Sequence, residues 1–241
     1  MEWREEGVVL GVKRHGETSV IAELMTRSRG RHLGLVRGGR SRAMRAVLQP
    51  GNSVAVHWRA RLDEHMGAFS LEPAHSRAGQ LMETAIGLNG VQLAASHLRL
   101  LAEREPHARL YDGFLVLLDN LGGERLTAGE LMLRFELAVL EELGFGLDLA
   151  RCAASGATVD LVYVSPKSGR AVGREPGEPY RDKLLALPGF LTASGRAADG
   201  AALREGFAMT RYFLARHIYE PRGLDEPLAR LSFISAASGS E

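Results

Sequence analysis

The chain has 241 residues, 45% hydrophobic and 24% charged, with a formal net charge of +1. Those proportions exclude global disorder and allow two modest domains or one large one. Its one cysteine, Cys152, cannot form an internal disulfide; with no signal peptide and no apolar run of about 18 residues, the chain reads as soluble and cytoplasmic.

The first 75 residues read as β. Apolar runs at 8–12, 20–26 and 33–36 are punctuated by Gly16, Gly30, Gly38 and Gly39. The clearest strand is 54–62, where Val54, Val56, Trp58, Ala60 and Leu62 alternate with Ala55, His57, Arg59 and Arg61. Period two sends the first set into a core and the second to solvent, so Trp58 is expected inside rather than stacked on a base. A further short strand at 69–71 makes five, a number that fits a small closed barrel, with the oligonucleotide-binding (OB) kind as one option.

From about residue 78 the apolar period becomes helical, with Gly87 and Gly90 marking a break or a close contact. Pro106 opens a segment that runs to Leu121 before Gly122-Gly123, and Thr127 with Glu130 matches a capping box for a helix stopped at Gly144. Residues 152–176 read as a hairpin on this helical body, with Val159, Leu161, Tyr163 and Val172 as its apolar contributors. A last helix is expected over 201–218, ending before Pro221, and the run 235–241 is expected to fray.

Charge is distributed unevenly. Residues 24–62 hold nine arginines (Arg27, Arg29, Arg31, Arg37, Arg40, Arg42, Arg45, Arg59 and Arg61) and no Lys, Asp or Glu. That window carries +9 against a chain total of +1, so the remainder carries −8. Such a run is either a solvated face or a polyanion-binding one. Within it, His32 and His57 are either phosphate or base contacts or ordinary surface residues.

The chemistry of catalysis is poorly represented. There is no phosphate-cradling glycine loop, no nucleophile elbow and no zinc-protease signature. No two of the eight histidines stand three or four residues apart, and the adjacent Glu141 and Glu142 diverge on a helix. Cys152 has no histidine near it in sequence and reads as a small buried residue. The chain is therefore expected not to be an enzyme.

Several fragments recur in a meaningful order: Gly7-Val8-Val9-Leu10, Gly16-Glu17-Thr18-Ser19, Gly30-Arg31, Arg37-Gly38-Gly39-Arg40 and Leu48-Gln49-Pro50-Gly51, then Arg134-Phe135-Glu136-Leu137, Leu143-Gly144-Phe145-Gly146, Leu187-Pro188 and Phe190-Leu191. In order and spacing the chain resembles the RecO family of bacterial recombination mediators over nearly its whole length. The resemblance implies an OB-type barrel at 1–77 and a mostly helical domain at 78–241, with a hairpin insertion at about 150–178. It implies binding of single- and double-stranded DNA, annealing of complementary strands, RecR and the C-terminal tail of single-strand-binding protein as partners, RecA indirectly, no cofactor, no membrane, and a place at the bacterial nucleoid. The nine arginines become candidate DNA contacts, and Arg125 with Arg134 a candidate site for the acidic tail, unless Arg134 only pairs with Glu130.

The sequence departs from the family in the hairpin. Many members hold zinc there with four cysteines, whereas only Cys152 remains here and Ser155, Val172 and Glu175 stand at the other ligand positions. This degenerate, zinc-finger-like hairpin is expected to bind no metal. Competing readings are an RNA-binding barrel and a scaffold whose basic segment holds an acidic protein.

Overall fold

The computed structural model describes residues 1–193 and 195–239. Its N-terminal sheet has five strands: β1 (Glu2–His15), β2 (Ser19–Thr26), β3 (Gly30–Val36), β4 (Ser53–Arg59) and β5 (Ala68–His75). β1 is long enough to pair twice, its first half with β4 (Glu2↔Arg59 to Val8↔Ser53) and its second with β2 (Gly7↔Thr26 to His15↔Ser19). β2 pairs with β3 and β4 with β5, all antiparallel, while β5 meets β3 in parallel at Leu35↔Ala68. The sheet thus closes on itself in the order β1-β2-β3-β5-β4.

Closure gives the alternation its meaning. Val54, Val56 and Trp58 are buried together with Val9, Val20, Leu24, Val36 and Phe69, while Ala55 and Arg59 face out. The fully buried Trp58 ring donates its indole N–H to the Met66 carbonyl at 2.8 Å. β4 ends at Arg59, however, so Arg61 lies past the strand and Leu62 is 42% exposed instead of in the core. The loop returns to the sheet at Gly67 (φ +67°), which lies against Trp58 where a Cβ would come within 2.4 Å of the indole nitrogen.

Two motifs that look like punctuation in the sequence are turns tied by buried polar groups. At the β2–β3 turn the Thr26 hydroxyl accepts from the Arg29 N–H and donates to the Gly30 carbonyl, both at 3.2 Å. Before β4, the Asn52 carboxamide oxygen accepts from the backbone N–H groups of Arg77 and Ala78 at 2.9 Å, and its amide donates to the carbonyls of Ala46 and Val47. Buried backbone groups need such partners, so one asparagine holds the barrel's last connection in place.

A short helix α1 (Arg42–Val47) occupies what reads as a loop in the sequence; the Ser41 hydroxyl caps it by accepting from the Met44 N–H. After β5 come α2 (Ala78–Leu81), α3 (Ala85–Leu98) and α4 (Ala108–Asn120). The helical period is broken at 82–84, where Thr84 caps α3, while Gly87 marks the close contact: a Cβ there would lie 2.3 Å from the Leu81 carbonyl oxygen. The chain divides into two compact units, Met1–Gly122 and Gly123–Glu241. The barrel ends close to residue 77, and the first unit also holds α2 to α4.

The second unit opens with α5 (Arg125–Glu142). Its cap is Glu124, not the expected Thr127: the Glu124 carboxylate accepts from the N–H groups of Leu126 (3.0 Å) and Thr127 (2.7 Å). A charged acceptor at the positive end of the helix draws the start three residues earlier than the capping box places it. The expected hairpin is a three-stranded sheet in the order β7-β6-β8, formed by β6 (Leu161–Val164), β7 (Ala171–Gly173) and β8 (Leu185–Ala186). Leu161 and Val172 are buried as expected, but Val159 precedes the strand and is 74% exposed.

A single turn α6 (Arg174–Gly177) leads towards α7 (Gly200–Leu214). This helix does not stop before Pro221: it widens into a π turn at Ala215–Tyr219, continues as α8 (Glu220–Arg222) and ends at Gly223. Pro221 gives the ladder no N–H, and the helix meets it directly after the π turn, where the regular hydrogen-bond spacing is already broken. The expected frayed tail is helix α9 (Leu228–Ser238) as far as Ser238, because Phe233 and Ala237 are buried; residues 240 and 241 lie outside the described residues. α5, α7 and α9 pack on one another around Glu136 and Arg230, an ion pair with Nε–Oε1 at 2.8 Å and side chains 0% and 1% exposed.

Candidate nucleic-acid interface

Folding divides the nine arginines, because carboxylates from outside the acid-free window reach several of them. Arg27 makes a two-pronged pair with Asp112, both contacts at 3.0 Å, and its hydrogen bond holds the Asp112 carboxyl below the usual range. Arg31 is only 14% exposed in its side chain; it pairs with Glu23 at 2.8 Å and Glu103 at 3.5 Å and donates to the Leu101 carbonyl. Arg59 pairs with Glu2 at 3.2 Å. Arg31 is thus a fold residue rather than a free phosphate ligand.

Arg29, Arg37, Arg42, Arg45 and Arg61 are exposed and, among the described residues, have no carboxylate partner. Arg40 is spent locally but keeps its charge uncompensated. Its backbone N–H donates to the Thr18 carbonyl at 3.0 Å, and its guanidinium donates to the Gly16 and Glu17 carbonyls. This ties the β1–β2 turn to the β3–α1 connection. Arg14 stands beside Val20 and Val20 beside Val36 in the register, so Arg14 and Arg37 emerge at the same barrel end.

Lys13, Arg14, Arg37, Arg40, Arg42 and Arg45 therefore share that end, with Glu17 the acid in the intervening turn. Lys13 and Arg14 were missed by the charge window because Glu17 and Glu23 lie between them and the arginine run. Strand register supplies what linear charge counting lacks.

The histidines do not join this end. His32 is 3% exposed inside the barrel, edge-on to Trp3 (5.3 Å) and Trp58 (5.2 Å). Burial lowers its pKa despite a hydrogen bond to the Leu33 carbonyl, so it is a neutral core residue and not a phosphate contact. His57 lies 3.4 Å from Glu2.

In the second unit the candidate pair Arg125 and Arg134 does not converge. Nine residues apart on α5, they lie on opposite faces and roughly 13.5 Å apart along the axis. Arg125 donates to the Ala237 carbonyl (3.1 Å), while Arg134 pairs with Glu130 (2.8 Å) and donates to the Phe190 carbonyl (2.8 Å). Arg134 also borders a groove of about 510 Å³ walled by Leu137, Ala138, Leu147 and Leu149, with Glu141 and Asp148 on its rim. Asp148 is paired with Arg170 at 3.4 Å.

The small sheet has its own local tie. Burial pushes the Cys152 thiol up, but donors around the sulfur outweigh it and bring the group down to about 7. Among them are the N–H groups of Gly173 (3.2 Å) and Ser155 (3.4 Å). The sulfur thus fastens the 152–156 turn to β7. No group of three or more His, Cys, Asp or Glu among the described residues is placed to hold a metal, so nothing in the fold supports a zinc-finger label. No helix of the described residues is long and apolar enough to cross a membrane.

The first unit thus presents a five-stranded closed sheet with a cationic end, and a largely helical unit follows it in the chain. Residues 1–77 match the family described as Recombination protein O N terminal, and residues 93–225 match Recombination protein O C terminal. A DNA repair protein RecO of Rhizobium etli is 61% identical over 238 residues, covering 98% of this chain and 93% of the relative. Those of Sinorhizobium medicae and Agrobacterium fabrum are each 59% identical, covering 98% of this chain and 94% and 93% of the relatives. The chain belongs to the RecO family of DNA repair and recombination proteins.

Proposed function

We propose that the chain is a recombination mediator that binds single- and double-stranded DNA, anneals complementary strands and, with RecR, helps load RecA onto DNA covered by single-strand-binding protein. The observation that carries this reading is the group of uncompensated cations on the β1–β2 and β3–α1 connections of the five-stranded closed sheet, which we read as an OB-type barrel. Two DNA strands repel through their phosphates. Guanidinium groups that replace condensed counterions lower that repulsion and let bases find their complements. The work is displacement and pairing at the nucleoid, with no bond cleaved and no cofactor used.

The deciding experiment mixes complementary oligonucleotides, first bare and then coated with single-strand-binding protein, and follows duplex formation with and without the full chain. Acceleration in both arms is expected. An unchanged rate alongside tight binding of an acidic protein would instead favour a scaffold, and preference for RNA at equal salt an RNA-binding barrel.

The tail of single-strand-binding protein is acidic and ends in an aromatic residue, so a receptor needs an apolar trough with a cation beside it. The groove at Arg134 has both, and Arg125, bound to the far carbonyl of Ala237, is left out. Replacing Arg134 with Glu is expected to weaken a fluorescent tail peptide by about tenfold, as loss of a charge-assisted contact implies. Wild-type affinity in that variant would remove the groove as the receptor.

A further inference from the structure

In barrels of this kind the outer face of the second and third strands receives the oligonucleotide. Here that face is covered by the chain's own segment after α3. Arg99 reaches over β2 to Glu23 (2.7 Å) and to the Leu10 carbonyl (3.1 Å), and Arg31 donates to the Leu101 carbonyl. Glu103 then bridges to Arg31, and the Arg104 N–H donates to the Arg31 carbonyl at 2.8 Å. Gly30 (φ +62°) admits this strap, since a Cβ there would lie 1.8 Å from the Glu105 carbonyl oxygen. Arg104 itself holds a left-handed φ of 65° while its guanidinium ties down the β4–β5 loop through the Asp63 and His65 carbonyls.

The strap separates two cationic ends. Val20 and Thr26, which mark them on β2, are six residues apart, or roughly 20 Å. That is about twice the screening length at physiological salt, so the two ends act as independent fields. Their chemistry also differs. The hairpin end has Lys13, Arg14, Arg37, Arg40, Arg42 and Arg45, and there is no Phe, Tyr or Trp anywhere from residue 4 to residue 57.

The opposite end has Trp3, partly exposed, stacked on Trp58 (centroids 5.8 Å apart, planes at 18°) and T-shaped to His32 and Phe69. Around it stand Arg59, the register neighbour of Trp3's own partner, and Arg61, next to the Ala60 N–H that donates to Met1. Arg104 and Arg29 add to the depression of the His32 pKa that burial begins, and Asp63 opposes it, so cations and an acid both act at this end. With Arg59 already paired to Glu2, the uncompensated cations at this end are Arg29 and Arg61, and a partly exposed indole with such cations beside it is an arrangement that stacks an unpaired base while holding its backbone.

We propose that the barrel carries two separate DNA sites: a hairpin end that grips phosphates alone, and a Trp3 end that binds unpaired strand by stacking a base on the indole. This rests on the DNA-binding reading above and adds that two strands are held at once, on either side of the strap. Such an arrangement brings a single strand and a second polyanion onto one small barrel without either displacing the other.

The chain has two tryptophans, Trp3 and Trp58, and Trp58 is fully buried, so intrinsic fluorescence reports the Trp3 end directly. The full chain is titrated with oligothymidylate of about 20 nucleotides and with a blunt duplex, following both tryptophan emission and the anisotropy of labelled DNA. Oligothymidylate is expected to quench emission; the duplex is expected to bind without quenching. Trp3→Phe should abolish the quench and weaken oligothymidylate by about fivefold or more, with duplex affinity unchanged. Arg29→Glu with Arg61→Glu, two exposed and unpaired positions, should do the same and guards against a misfolded Trp3 variant. Arg37→Glu, Arg42→Glu and Arg45→Glu together should remove duplex binding and leave the quench. The proposal is overturned if either set of variants weakens both ligands equally, or if the quench survives Trp3→Phe. Absence of any DNA binding by the wild-type chain at low salt would instead remove the reading on which it rests.

Discussion

Reversing Arg37, Arg42 and Arg45 to Glu together is expected to lower affinity for duplex DNA by about a hundredfold or more at 0.1 M salt. The slope of log affinity against log salt should flatten by about 2 to 3, since each lost phosphate contact removes about 0.9 of a released counterion. All three side chains are exposed and, among the described residues, free of carboxylate partners, so thermal stability should hardly change. The contrast is Arg31→Glu. That guanidinium is mostly buried against Glu23 and the Leu101 carbonyl, and reversing it places a third carboxylate beside Glu23 and Glu103. Loss of stability, not a selective loss of DNA affinity, is the expected signature there. Titration at several salt concentrations with parallel melting curves separates the two outcomes; an unchanged affinity and slope in the triple variant would refute the basic end as a DNA contact.

The second large effect concerns the helical unit. Arg230 donates to both oxygens of Glu136 (2.8 and 3.0 Å), to Glu226 (2.9 Å) and to the Phe207 carbonyl (2.7 Å), and its guanidinium lies over the Phe207 ring. Burial lowers the Arg230 pKa, but the two carboxylates outweigh it and keep the group charged. Arg230→Ala strands the Glu136 carboxylate in the packing between α5, α7 and α9, which is expected to cost about 3–5 kcal/mol. Replacing both partners with apolar residues of similar volume should recover most of that loss, because no charge is left uncompensated. Urea unfolding of the single and double variants measures the difference. A single variant within about 1 kcal/mol of wild type would show that the pair does not hold these helices together.

Glu136 and Arg230 illustrate where the sequence stops informing. Glu136 is visible as part of Arg134-Phe135-Glu136-Leu137, but its partner lies 94 residues further on, just before the run 235–241 whose small polar residues suggest fraying. Helix α9 exists because its Phe233 and Ala237 are buried, a consequence of tertiary packing that local composition does not carry. Likewise β8 has two residues, too few for a period, and is a strand only because β6 offers it an edge. The cap of α5 lies at Glu124 because its carboxylate accepts from the N–H groups of Leu126 and Thr127, which puts Thr127 inside the helix.

By itself the sequence determined the elements governed by short-range rules: the alternation that buries Trp58, the glycine turns that end strands, the helix that stops at Gly144, and a charge asymmetry along the chain. Tertiary structure alone decided which of the nine arginines remain available. Asp112, Glu23, Glu103 and Glu2 lie outside the acid-free window, yet register and the strap bring them to Arg27, Arg31 and Arg59, while Lys13 and Arg14 join Arg37 across two strands. Charges interact through space with a range of about 8–10 Å, a distance that neighbours in the fold share and neighbours in the chain often do not.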